Sequence, residues 1–141
     1  MKFSQNPKEC GNLLGVLRIK IGAHVMLTLN VDVTDGLTNG AMGTVSNVVQ
    51  KGDKISVILV WFDNPSVGQS AIAHSKFKDI DSSAVPIYEF QKTFPINEKS
   101  FQGCCIQFPL FLSWAVSIHK CQGLTVDEIV VDMSRHKGPF Q

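Results

Sequence analysis

The amino-acid sequence predicts an α/β chain with a β-rich insertion, and three observations lead there. The middle of the chain is a run of short alternating or fully apolar stretches punctuated by Gly, Asn, Asp and Pro, the mark of short strands. The last quarter switches to helical spacing, then a glycine, then a hydrophobic strand, which is α/β material. With 44% hydrophobic and 18% charged residues over 141 positions, the composition is that of an ordinary globular protein. A chain of that length buries about 68–70% of its extended surface on folding, so a real core forms.

The elements follow in order. Residues 1–16 are polar with Gly and Asn and read as a loose N-terminal segment. From Leu17, L-R-I-K-I alternates apolar and basic residues, the signature of a half-buried strand. Gly22 interrupts it, and A-H-V-M-L-T-L-N resumes a strand whose inward set is Val25, Leu27 and Leu29 or the complement. The stretch V-D-V-T-D-G-L-T-N-G-A-M-G-T-V is a loop with several positive-φ positions. Next, G-T-V-S-N-V-V and I-S-V-I-L-V-W-F form a hairpin around a short glycine turn, with the second strand buried on both faces. D-N-P-S-V-G-Q-S is a turn-rich connection, and residues 85–91 and 104–110 are further short strands, together suggesting a small barrel or sandwich. L-F-L-S-W-A-V-S-I-H-K-C-Q-G then places Phe111, Trp114, Ala115, Ile118 and Cys121 on one helical stripe that ends at Gly123, before a buried strand E-I-V-V-D-M.

Charge and cysteine content narrow the function classes. Thirteen basic and twelve acidic side chains leave a net charge of +1, so a polyanion site must be local rather than a global basic field. The longest near-continuous apolar run, Ile55 to Phe62, falls far short of the about 20 residues that a membrane-spanning helix needs. No apolar region follows the N-terminal lysine, so no secretory signal is visible and an intracellular address is expected. Cys10, Cys104, Cys105 and Cys121 form no C-x-x-C pair, and adjacent cysteines rarely bridge each other. They are expected as reduced thiols, with Cys104 and Cys121 packing as small apolar groups. Although His119 with cysteines offers zinc-type ligands, paired ligand spacing is absent and no metal is assigned.

The densest polar cluster is S-I-H-K-C-Q-G-L-T-V-D, residues 117–127. Ser117, His119, Lys120, Gln122 and Thr125 crowd around Gly123 between a helix and a strand, an arrangement suited to phosphate. Glycine lets the backbone approach, lysine supplies a point charge, and hydroxyl and imidazole donors orient the ligand. A solvated helix end, with Lys120 favouring the C-terminal dipole, is the alternative. Trp114 reads as a core aromatic rather than a base-stacking platform, and Asp63 and Asp127 sit in turn-like contexts without an acid–base role.

W-A-V-S-I-H-K-C-Q-G-L-T-V-D closely resembles motif V of the RecD/Pif-type branch of superfamily 1 DNA helicases. A second block, K-I-G-A-H-V-M-L followed by the N-G-A-M-G-T-V loop, matches the same family, and W-F-D-N-P-S-V-G and Q-F-P-L resemble its animal and Helitron-type members. The likeness runs in the family's order through residues 17–134. It implies a partial RecA-like motor domain, the second of two, carrying an inserted SH3-like β-barrel. Residues 17–39 and 108–134 would belong to the motor domain, 40–107 to the barrel, and 135–141 to a truncated tail. The resemblance further implies that Ser117, His119, Lys120 and Thr125 contact DNA and that Gln122 and Gly123 sense nucleotide phosphates. Asn39, Gly40 and Gly43 would shape the loop entering the barrel.

The implied whole is the C-terminal part of an ATP-dependent 5′-to-3′ DNA helicase, with ATP and Mg²⁺ as cofactors of the full-length protein. Its partners would be single-stranded DNA and the missing N-terminal motor domain of the same polypeptide, with no membrane. A nuclear location is expected, mitochondria being the other option, with roles in DNA repair, recombination, telomere maintenance or transposition. The departures from the family are specific. No G-x-x-x-x-G-K-[ST] loop occurs, no acidic magnesium motif is identifiable, and the family's final Y-V-A-L-S-R pattern is absent. The stretch alone is therefore expected to bind no ATP and to be inactive. A stand-alone nucleic-acid-binding module without motor activity is the alternative reading.

Overall fold

A computed structural model describes residues 17–95, 102–114 and 130. The elements are β1 (His24–Leu27), β2 (Met42–Lys51), β3 (Lys54–Phe62), α1 (Gln69–Ala73), β4 (Val85–Tyr88), β5 (Phe90–Pro95), β6 (Gln102–Gln107) and β7 (Leu110–Leu112). Five strands form one sheet in the order β4-β3-β2-β1-β7, while β5 and β6 pair separately. Every described pairing is antiparallel. β4 and β7 are the two edges, so among the described residues the sheet is open rather than closed into a barrel. The regular structure among the described residues is thus strands and one short helix. Within the sheet β1 pairs with β2 on one side and β7 on the other.

The β2–β3 hairpin is the longest pairing, and it turns on Gly52 and Asp53 with Gly52 at φ +63°. β3 is buried on both faces, as its unbroken apolar run requires. Ile58 and Val60 join Val25, Leu27, Val45, Val85, Ile87 and Leu110 in the main core, whereas Val57 and Leu59 pack with Ala84 on the other side. β4 carries Pro86 opposite Leu59, and an edge strand tolerates a residue that cannot donate to a ladder.

Four expectations are revised. L-R-I-K-I keeps its alternation, Leu17 and Ile19 half-buried and Arg18 and Lys20 exposed, yet it forms no strand. The chain turns at 20–23, where the Ala23 N–H bonds the Lys20 carbonyl, and the first sheet-type contact is the Gly22 N–H on the Val45 carbonyl. Phe111 does not begin a helix: it lies in β7 opposite Met26. There the Pro109 carbonyl accepts the Thr28 N–H and the Ser113 N–H reaches the His24 carbonyl, so the ladder overrides the 3.6-residue spacing. The rest of that stripe lies outside the described residues. The 63–70 connection runs into the short helix α1. Among the cysteines, Cys104 is a free buried thiol as expected, but Cys105 is disulfide-bonded.

One polar node pins the 77–83 segment to the hairpin. The Ser46 hydroxyl of β2 donates to Asp81 Oδ2, and the Ser83 N–H and hydroxyl donate to Oδ1 at 3.0 and 2.9 Å. The Trp61 side chain of β3 donates as well. Burial raises the Asp81 pKa, but these donors outweigh it and hold the carboxyl below its ordinary 3.8. A depressed folded-state pKa means that this contribution is complete above about pH 4 and is lost as pH falls through the folded value. Asp81→Asn is therefore expected to cost about 1–3 kcal/mol near neutrality. In urea titrations its gap from the wild type should narrow steadily below pH 4. A gap independent of pH would contradict this assignment.

Candidate functional site

Of the site residues expected from sequence, Ser117, His119, Lys120, Gln122, Gly123 and Thr125 lie outside the described residues, as does Asp127. Asn39, Gly40 and Gly43 are described, in the loop between β1 and β2 and at the start of β2. The Asn39 N–H donates to Asn30 Oδ1 at 2.8 Å, and the Gly40 N–H returns to the Leu27 carbonyl at 2.9 Å with φ at +97°. Gly43 is held for a different reason. A Cβ there would stand 2.3 Å from the Trp61 carbonyl oxygen and 2.9 Å from Phe62 Cα, so β2 and β3 approach too closely for any side chain.

The same loop is organised by two carboxylates whose partners sequence reasoning missed. Asp32 Oδ1 accepts the Thr34 hydroxyl at 2.6 Å and its N–H at 3.0 Å, closing an Asx-type turn. Those bonds, the Thr34 hydroxyl foremost, hold the Asp32 carboxyl below its ordinary range. Buried Leu37 bridges back to Asp32 and plugs the loop into the core. Asp35 reaches across to α1, accepting the Ser70 and Ala71 N–H groups, each at 2.9 Å. It supplies the cap that Gly68, at the helix start with no side chain, cannot. A Cβ at Gly68 would meet Val85 Cγ2 at 2.4 Å.

At the other end of the sheet, the turn before β1 and the residues after β7 enclose a groove of about 310 Å³ lined by Arg18, Ile19, Lys20, Ala23, Leu112 and Trp114. Trp114 is 72% exposed, so it is not the core aromatic the sequence suggested. It stacks obliquely on His24, with ring centroids 6.1 Å apart and planes at 50°. His24 is itself fixed at both nitrogens, Nε2 lying 3.1 Å from Asp63 Oδ2 and Nδ1 2.7 Å from Ser113 Oγ. An ionised carboxylate only accepts, so Nε2–H donates to Asp63, while Nδ1 and the Ser113 hydroxyl share the second hydrogen bond. Asp63 thus acts as an anchor for this ring, a pairing across 39 positions that its turn-like context concealed. Arg18 and Lys20 are exposed, and among the described residues neither has an acidic partner. No three His, Cys, Asp or Glu side chains converge as metal ligands among the described residues.

The arrangement offers an aromatic face between apolar walls and beside two cations without acidic partners among the described residues. Comparisons with known proteins give it a context. Residues 14–48, which span β1 and most of β2, match the family model described as DNA helicase Pif1, 2B domain. The chain is 31% identical over 120 residues to the ATP-dependent DNA helicase PIF1 of Danio rerio, and 29% identical over 120 residues to that of Homo sapiens. A solved structure of Bacteroides Pif1 helicase in complex with ADP-AlF3 and ssDNA superposes with a TM-score of 0.54 at 28% identity, covering 84% of this chain. The likeness is to a segment of the Pif1-type superfamily 1 helicases.

It covers 85% of its own length in the two curated matches but only 16% of theirs, and 24% of the Bacteroides chain. The described part of the chain is a β-sheet framework. The close approach at Gly43 gives a direct test of that framework. Gly43→Ala is expected to cost about 3 kcal/mol, the upper end of overpacking penalties, because backbone rather than a movable side chain stands in the way. Urea denaturation would read it. Wild-type stability in this variant would show that β2 and β3 do not approach as described.

Proposed function

We propose that this chain is part of an ATP-dependent 5′-to-3′ DNA helicase, contributing single-stranded DNA contacts and nucleotide coupling through residues 117–127. The observation that carries the reading is the likeness to ATP-dependent DNA helicases along most of the chain, together with a solved relative bound to ssDNA and a nucleotide analogue. In this reading Ser117, His119, Lys120 and Thr125 contact the DNA backbone. Lysine brings a compact positive charge, and the hydroxyl and imidazole groups bring oriented donors, which suits phosphate oxygens rather than base edges. Gln122 and Gly123 couple this contact to the nucleotide, glycine allowing close backbone approach and the Gln amide both donating and accepting.

Residues 17–39 and 108–134 would then belong to the second RecA-like motor domain and 40–107 to its SH3-like insertion, in a protein located in the nucleus or mitochondria. ATP supplies the driving free energy when bound with Mg²⁺, but no phosphate-cradling loop occurs among these 141 residues. The nucleotide's main cradle therefore belongs to the first motor domain. A net charge of +1 fits a contributor of a few contacts better than a module that grips DNA alone.

Two measurements test the reading. Binding of the chain to oligothymidylate, followed against salt, should weaken on Lys120→Ala, with the log–log slope falling by about 0.7–1. An unchanged slope would move the phosphate contact away from Lys120. The isolated chain should also show no magnesium-dependent ATP hydrolysis above background, and sustained turnover would overturn the division of labour proposed here.

A further inference from the structure

We infer that the groove between the turn before β1 and the end of β7 is a subsite for single-stranded nucleic acid, seating one base on Trp114 and flanking phosphates on Arg18 and Lys20. This deepens the proposed function and rests on it, adding a contact surface separate from residues 117–125. The groove combines the two elements that sequence-tolerant strand binding needs, an aromatic face and a local positive charge. Trp114 presents its indole to solvent at 72% exposure. Its orientation is supported from behind by His24, which Asp63 and Ser113 clamp at both nitrogens. Ile19, Ala23 and Leu112 give the apolar walls that a base edge can lie against.

The cations decide the chemistry of the occupant. Arg18 and Lys20 lie two positions apart on the exposed side of an alternating segment, with Leu17 and Ile19 turned toward the core. They are held at the groove while their charged ends stay in water and without acidic partners among the described residues. An apolar protein surface docking here would strand two uncompensated charges at a dry interface, which is costly. A phosphodiester chain neutralises both and releases counterions as it does so. A near-neutral protein that must place its positive charge locally has done so here, beside its most exposed described indole.

The test uses the whole 141-residue chain with fluorescein-labelled oligothymidylate, read by anisotropy. Trp114→Ala is expected to weaken binding about tenfold or more, the range for loss of one stacked base. Trp114→Phe should retain most of the affinity, because an aromatic face for the base is kept. Arg18→Ala with Lys20→Ala should lower the salt slope by about 1.4, roughly 0.7 for each phosphate contact removed. In a Trp61→Phe background, Trp114 emission should be open to acrylamide without DNA and shielded when the oligonucleotide is added. Wild-type affinity in Trp114→Ala, in a chain whose binding still falls on Lys120→Ala, would overturn the groove and leave the DNA reading intact. Failure of the wild-type chain to bind oligothymidylate at all would remove the DNA reading and the groove with it. Indole emission already shielded before DNA is added would show that protein covers this face, and would overturn the subsite alone.

Discussion

The rest of this structure depends on burying β3 from both sides. Val57, Ile58, Leu59 and Val60 are each 2% exposed or less, so neither face of that strand can be left to water. One face is covered by the main core, to which β1, β2, β4 and β7 all contribute. The other is covered by Ala84 and Phe77 with Val49, and that cover is held down by the Asp81 node rather than by a strand or a long helix. A fully apolar strand thus dictates two layers, and the second is supplied by an irregular segment because polar bonds fix it in place. Burial at this density is worth about 1.5–3 kcal/mol for each large side chain.

Close backbone approach is the second constraint, and it locates the loop chemistry. With no side chain at Gly43, β2 meets β3 tightly enough for Val45 to reach the core beneath Ile58 and Val60. The long loop before it must then fold back over the sheet. It does so through local carboxylate bonds at Asp32, a reach across to α1 by Asp35, and one apolar plug at Leu37. An exposed loop with a single buried apolar side chain holds its shape because most of its turning backbone groups find partners nearby.

Much of this frame was legible in the sequence, because period-two alternation and glycine turns report local physics. The β2–β3 hairpin, its Gly52 turn and the two-sided burial of β3 follow directly from residues 42–62. The alternation at 17–20 correctly marked which side chains point inward, yet a strand also needs a ladder partner, and the turn at 20–23 removes it. Phe111 was misplaced for the converse reason, since a helical stripe can be satisfied by chance while Leu110 and its neighbours are claimed by pairing with β1. The site divides the same way. Motif spacing singled out residues 117–127, which lie outside the described residues, and gave no sign of the Asp63–His24–Ser113 clamp, in which His24 is 39 and 89 positions from its partners and meets them only when β1 lies between β2 and β7. Trp114 was misread because an aromatic at helical spacing is usually buried, and nothing local says that a strand will end just before it.

The groove beside Trp114 is held by one side chain. Ser113 is fixed to β1 by its N–H on the His24 carbonyl and by its hydroxyl on the ring. Asp63 holds the other ring nitrogen, so the end of β3, the start of β1 and the end of β7 all meet at His24. Trp114 follows Ser113 directly and packs obliquely on the same ring, beside Arg18 and Lys20. The clamp on His24 then has a plain mechanical meaning: it ties the edge strand β7 to β1 just where the groove opens.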